Sequence, residues 1–123
     1  MRGFGDLEAA VMERMWDRAE PSTVRDVLTD INRERDLAYT TVLTVMEKLY
    51  RKGWLLREPL GRAHVYRPTA SREQYVAGQM REALTDSDNP EQALVYLVGQ
   101  MTLDQAAALR AALNSYERKI SGR

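Results

Sequence analysis

The stretch AYTTVLTVMEKLYRKGW, residues 38–54, concentrates the side chains best suited to contact chemistry. Wound at about 100° per residue, it sets Thr40, Thr41, Thr44, Glu47, Lys48 and Arg51 on one side. Small hydroxyls let a helix come close to a surface and reach phosphates or base edges, while Lys and Arg neutralise phosphate charge. The other side carries Val42, Met46 and Leu49, flanked by Leu43, Val45 and Tyr50, the apolar face of a packed helix. Gly53 closes it at a position suited to left-handed geometry. An ordinary solvated face is the competing reading of the same pattern, and the surroundings must separate the two.

Bond-breaking chemistry finds little to work with. The chain has no cysteine and one histidine, so thiolate metal sites, disulfides and Cys nucleophiles are excluded, and His64 alone cannot build a zinc site. His64 reads as a surface or strand histidine. No Gly-rich phosphate loop follows a strand, and no Ser/His/Asp set is placed to activate a nucleophile. The expectation is no enzyme activity, no metal and no cofactor. With 123 residues, 44% of them hydrophobic, the chain can bury one modest core or hold a small domain plus an association segment. The start MRGFGDLEAA has no apolar leader and no run approaches about 18 apolar residues, so a cytoplasmic address without membrane insertion is expected.

A formal net charge of zero argues at first against nucleic acid. Its distribution reverses that. Residues 39–72 hold seven basic side chains against two acidic, a local +5, whereas residues 1–38 sum to −3 and residues 73–123 to −2. The positive block surrounds the threonine stripe. Locality matters because charges more than about 10 Å apart are screened at ordinary salt.

The elements that must position the stripe follow from pattern. Gly5-Asp6-Leu7-Glu8 opens a first helix, with Glu8 favourable in its first turn; Leu7, Val11 and Met15, with Met12 and Trp16 beside them, form a stripe ending near Arg18. Pro21 breaks it, and Ser22 or Thr23 caps a second helix whose Val24, Val27, Leu28 and Ile31 face inward and which reaches about Arg35. Two helices joined by a short polar turn make a helix-turn-helix. Leu55–Glu58 and Ala63–Pro68 read as strands around a Pro59-Leu60-Gly61-Arg62 loop, with His64 and Tyr66 on one face and Val65 on the other. Three helices and a small hairpin make a winged helix, and Arg62 at the hairpin tip can reach a phosphate or a narrow minor groove.

Beyond Pro68 the chain is helical. Ser71-x-x-Gln74 and Thr102-x-x-Gln105 are capping boxes, and Pro90 suits the first turn of a helix. Leu94, Leu97, Val98 and Met101 form one apolar face; Leu109, Leu113, Tyr116 and Ile120 continue a three-and-four seam. Such a seam can pack onto its own domain, but the unit before residue 70 already reads as complete, and a groove-reading helix gains from two-fold symmetry. The expected architecture is mainly α with a small β-hairpin: a winged helix-turn-helix domain over residues 1–70, then a helical dimerisation region over 71–123.

Here the sequence resembles the penicillinase-repressor family of winged-helix regulators, the BlaI/MecI type. The matching blocks are Leu7-Glu8 with Val11-Met12 and Trp16; Thr23-Val24-Arg25-Asp26-Val27; Ala38-Tyr39-Thr40-Thr41-Val42-Leu43-Thr44 with Leu49 and Lys52-Gly53; and Gly61-Arg62-Ala63 with Val65-Tyr66-Arg67-Pro68. They cover residues 6 to about 75, and the remainder matches only as a helical tail. The resemblance implies a homodimeric repressor on a dyad-symmetric duplex operator. Carried over, Tyr39 to Lys52 becomes the recognition helix, with Thr40, Thr41, Thr44 and Lys48 in or beside the major groove. Thr23, Arg51 and Arg67 become phosphate contacts, Arg62 becomes the wing tip, and Lys52 at the helix end joins the DNA-contacting set. Arg25 has two readings, a phosphate contact or the partner of a nearby carboxylate.

Two departures qualify the resemblance. Copper-responsive members use C-terminal cysteines, absent here. Antibiotic-responsive members are inactivated when a membrane metalloprotease sensor cuts the dimerisation region, in some at an Asn-Phe bond, and Ala93–Val98 lacks that pair. The implied function is repression of β-lactam-response genes relieved by proteolysis. The alternatives are a winged-helix regulator of another regulon responding to a small molecule, and a protein-interaction module using the same face.

Overall fold

In the computed structural model, which describes residues 3–122, three helices come first: α1 (Asp6–Asp17), α2 (Val24–Ile31) and α3 (Tyr39–Arg51). An antiparallel hairpin of β1 (Leu55–Leu60) and β2 (Ala63–Pro68) follows, then α4 (Arg72–Asp86), α5 (Pro90–Gly99) and α6 (Leu103–Ser121). The chain packs as two compact units, the first ending at Gln79 and the second beginning at Met80. This is the mainly helical architecture with a small hairpin that the periodicity predicts.

The first unit's core takes one stripe from each helix: Val11, Met12 and Met15; Val24, Val27, Leu28 and Ile31; Val42, Met46 and Leu49. Leu55 and Tyr66 of the hairpin close it. Full burial of such side chains contributes about 1.5–3 kcal/mol each, so the helices are held by packing more than by propensity.

The local signals decide where each helix begins and stops. Thr23, not Ser22, caps α2: its hydroxyl accepts from the Asp26 N–H at 3.1 Å and the Asp26 carboxylate accepts from the Thr23 N–H at 2.9 Å. That backbone hydrogen bond, against the opposing effect of burial and with help from the Thr23 side chain and Arg18, holds the Asp26 carboxyl below its usual pKa. Ser22 does another job. It is fully buried and pairs with Tyr66 through both backbone hydrogen bonds (2.9 and 2.8 Å), adding a one-residue third strand to the hairpin. Arg18 braces the join, donating to the Ser22 hydroxyl and to Asp30 at 2.7 Å.

Three expected boundaries shift. Helix α2 stops at Ile31 rather than near Arg35, because the Asn32 side chain bridges the turn, donating to the Leu37 carbonyl (3.1 Å) and accepting from the Leu37 N–H (2.9 Å). The connection to α3 is correspondingly longer than the few residues expected. The hairpin loop is also tighter than read: Leu60 pairs with Ala63 and Pro59 with His64, leaving a two-residue turn of Gly61 and Arg62. Pro59 is tolerated because a two-stranded ribbon needs donors on one side only, and Gly61 supplies the φ of +61° at the first turn position.

Helix α3 ends in a Schellman motif. Gly53 at φ +87° lets its N–H reach the Tyr50 carbonyl at 3.0 Å and the Trp54 N–H reach the Leu49 carbonyl at 2.9 Å. Trp54 thereby joins an aromatic cluster with Phe4, Trp16 and Tyr75, ring centroids 4.9–6.4 Å apart. The Trp16 indole donates to the Ala70 carbonyl at 3.0 Å, and Arg72 pairs with Asp17 and Glu13 at 2.9 and 2.7 Å, so the start of α4 belongs to the first unit.

In the second unit, Asn89 caps α5 through the Gln92 N–H and Thr102 caps α6 in the expected box with Gln105. Neither α5 nor α6 buries any residue. Among the described residues, no helix is long and apolar enough to cross a membrane.

Candidate nucleic-acid interface

Helix α3 turns Val42, Met46 and Leu49 into the core, which leaves Thr40, Thr44 and Lys48 exposed and Thr41 half-buried at the edge. The Thr44 hydroxyl donates to the Thr40 carbonyl at 2.8 Å, so outward it offers its acceptor lone pairs and its methyl group. No side chain caps the helix at Ala38. Its first turn therefore presents backbone N–H groups at the positive end of the helix dipole.

A cleft of about 470 Å³ lies beside that first turn. Thr23 and Arg25 from the start of α2, Tyr39 from α3, and Arg62, His64 and Tyr66 from the wing line it. Among the described residues Arg25 pairs with no carboxylate: its guanidinium sits over the Tyr39 ring, 5.0 Å from the centroid, a cation–π arrangement beside the cleft. Thr23 thus combines capping with a place on the cleft wall.

The cations of the +5 block have separate fates. Lys48 and Arg62 form no ion pair among the described residues and stay exposed. Arg51 lies 3.5 Å from Glu47 one turn back. Arg57 stacks over Tyr50 at 4.2 Å. Arg67, expected on the backbone-contacting side, lies 3.8 Å from Glu58 and shares with Leu56 and Val65 the wing face opposite His64 and Tyr66. The pleat enforces this, since alternate residues of β2 point to opposite faces. Lys52, expected to meet DNA, instead donates to both Glu8 carboxylate oxygens at 2.9 and 3.2 Å.

Glu8 itself is 7% exposed. Burial acts to raise its pKa, but the Gly5 N–H, Lys52 and the nearby Lys48 charge together hold it below the ordinary value. Sequence reasoning missed this pair because its members are 44 residues apart; a buried-stripe position occupied by Glu was the available signal. It also passed over His64, whose place at the cleft depends on strand register.

The residues expected at a subunit interface all lie in the second unit. Leu94, Leu97 and Val98 of α5 and Leu113, Tyr116 and Ile120 of α6 are exposed, while Met101 and Leu109 are half-buried. Leu94 and Leu97 join Met80 and Leu84 around an apolar cleft of about 290 Å³.

The transcriptional regulator BlaI of Mycobacterium tuberculosis, in strains CDC 1551 / Oshkosh and ATCC 25618 / H37Rv, is 47% identical over 117 residues, spanning 93% of this chain and 85% of the relative. The solution structure of the DNA-binding domain of the repressor BlaI superposes with a TM-score of 0.53 at 25% identity, over 59% of this chain and 88% of that domain. Bordetella bronchiseptica BpsR shares the fold, with a TM-score of 0.52 at 19% identity over 99% of this chain and 78% of that one. Residues 4–115 match the family described as Penicillinase repressor. The chain belongs to the penicillinase-repressor family of winged-helix transcriptional regulators.

Proposed function

We propose that the protein is a sequence-specific repressor that binds a dyad-symmetric duplex operator as a homodimer. The observation that carries this is the outward threonine stripe of α3 beside a cleft walled by Arg25 and Arg62, with no carboxylate on the cleft's lining. Thr40, Thr41 and Thr44 take the major groove, and Lys48 lies beside it against a phosphate. Thr23, Arg25, Arg62, Tyr39 at the helix start, and Arg51 at its end take the flanking backbone. Support for two-fold assembly comes from the second unit, where α5 and α6 leave large apolar side chains exposed and bury none. Exposed apolar surface of that extent marks an interaction site. The DNA-binding domain, expected over residues 1–70, extends with the start of α4 to Gln79, and the region from Met80 on serves dimerisation, in a cytoplasmic protein. Control of β-lactam-response genes, with relief through a membrane metalloprotease sensor cutting the C-terminal region, is the regulatory part of the proposal and rests on family membership.

The test is fluorescence anisotropy with duplexes from the protein's own promoter region, followed by footprinting. Sub-micromolar binding with a steep salt dependence and a footprint symmetric about a dyad is expected. Equal affinity for a scrambled duplex at 150 mM salt would overturn the reading.

A further inference from the structure

We propose that the cleft between the starts of α2 and α3 and the wing is a seat for one DNA-backbone phosphate, and that His64 is its third, proton-dependent donor beside Arg25 and Arg62. The proposal rests on the DNA-binding reading above and names a contact which that reading leaves out.

Three observations carry it. First, the cleft walls bring two guanidinium groups and an imidazole from different elements to one space, with no carboxylate among them. Donors that converge with no acid beside them suit an anion, which accepts from all of them at once. Second, the arrangement is built. Tyr66 is 1% exposed and forms the floor, its backbone locked to Ser22, and its ring meets the His64 ring edge-on at 6.4 Å. Arg25 is held over Tyr39. Third, strand register selects His64. It pairs with Pro59, next to the two-residue turn bearing Arg62, and shares its face with Tyr66, while Glu58, Val65 and Arg67 line the other face.

The titratable and charged groups sharing the cleft with His64 are Arg25 from α2, Tyr39 from α3, Arg62 from the turn and Tyr66 from its own strand, and Arg57 of β1 stands across from Tyr66 on the same face of the hairpin. A phosphate placed among them favours the doubly protonated ring, so duplex binding draws a proton onto it. Neutral imidazole donates through one nitrogen only; imidazolium donates through both and adds a charge.

The experiment measures duplex affinity against salt at pH 5.5 and pH 8.0 with promoter DNA. The wild type should bind the duplex more tightly at pH 5.5 than at pH 8.0 at every salt concentration, because imidazolium adds a charged donor to the same phosphate. His64→Gln should remove that difference, and His64→Lys should bind tightly at both pH values. If His64→Gln retains the wild-type difference, the proposal is wrong even though specific binding stands. If promoter and scrambled duplexes bind alike, the DNA-binding reading itself fails. Because the chain has a single histidine, its imidazole NMR signals report the seat directly. Stoichiometric duplex should shift them. Unmoved signals with bound duplex, or saturation by micromolar inorganic phosphate alone, would overturn the backbone assignment in favour of no contact or of a free-anion site.

Discussion

The Lys52 ammonium lies 2.9 Å from a carboxylate oxygen of Glu8 and joins the first turn of α1 to the C-terminal cap of α3. Glu8 is buried, and its other oxygen accepts from both Lys52 and the Gly5 N–H. Lys52 therefore positions α3 through its C-terminal end.

Removing this pair should cost stability before it costs DNA affinity. Glu8→Gln is expected to lower unfolding free energy by about 1–3 kcal/mol at pH 7, the range for a hydrogen-bonded charge with one partly exposed partner. The sign in acid follows from the depressed pKa. Stability from ionised Glu8 is fully present above the ordinary carboxylate value of 4.5 and is lost as pH falls through the lower folded value. Urea titrations of wild type and variant should therefore begin to converge near pH 4.5, where the unfolded carboxyl is half protonated, and meet once pH lies below the lower folded value.

Lys48 and Lys52 should differ in DNA binding although only four residues separate them. Lys48→Ala should reduce the salt slope by about 0.9, as loss of one phosphate contact does. Lys52→Ala should leave the slope unchanged and shift the urea midpoint instead. Equal slope losses in the two variants would restore Lys52 to the interface.

Thr44 tests base reading as opposed to close approach. Its hydroxyl hydrogen is engaged by the Thr40 carbonyl, so only an acceptor and a methyl face outward. Thr44→Val keeps the methyl and removes the acceptor. A drop of about 1–3 kcal/mol in discrimination between promoter and scrambled duplex is expected if that acceptor meets a base donor. Unchanged discrimination assigns Thr44 to fit alone.

Assembly is tested by charge on the uncovered seam. Leu97→Glu and Leu113→Glu place carboxylates at sites 39% and 49% exposed in one chain, so neither should unfold the first unit. Each should convert a dimer into a monomer in analytical ultracentrifugation and weaken full-operator binding at least tenfold. A wild type that sediments as a monomer at micromolar concentration would refute the placement of the interface.

Periodicity and capping chemistry were enough to locate most elements, because those signals act within a few residues. The stripe Val42, Met46, Leu49 defines both the buried and the outward face of α3; Thr102 with Gln105, and Ser71 with Gln74, mark helix starts; Gly53 and Gly61 mark backbone reversals. Tertiary structure decided what depends on residues far apart in the chain. It ended α2 at Ile31 through the Asn32–Leu37 bridge, gave Lys52 to Glu8, sent Arg67 to the far face of the wing, and added Ser22 to the sheet. The +5 block shows the difference most clearly. Counting residues tells how many charges a stretch carries, but only the fold determines which are neutralised inside the protein and which, like Lys48 and Arg62, remain exposed without an ion pair among the described residues.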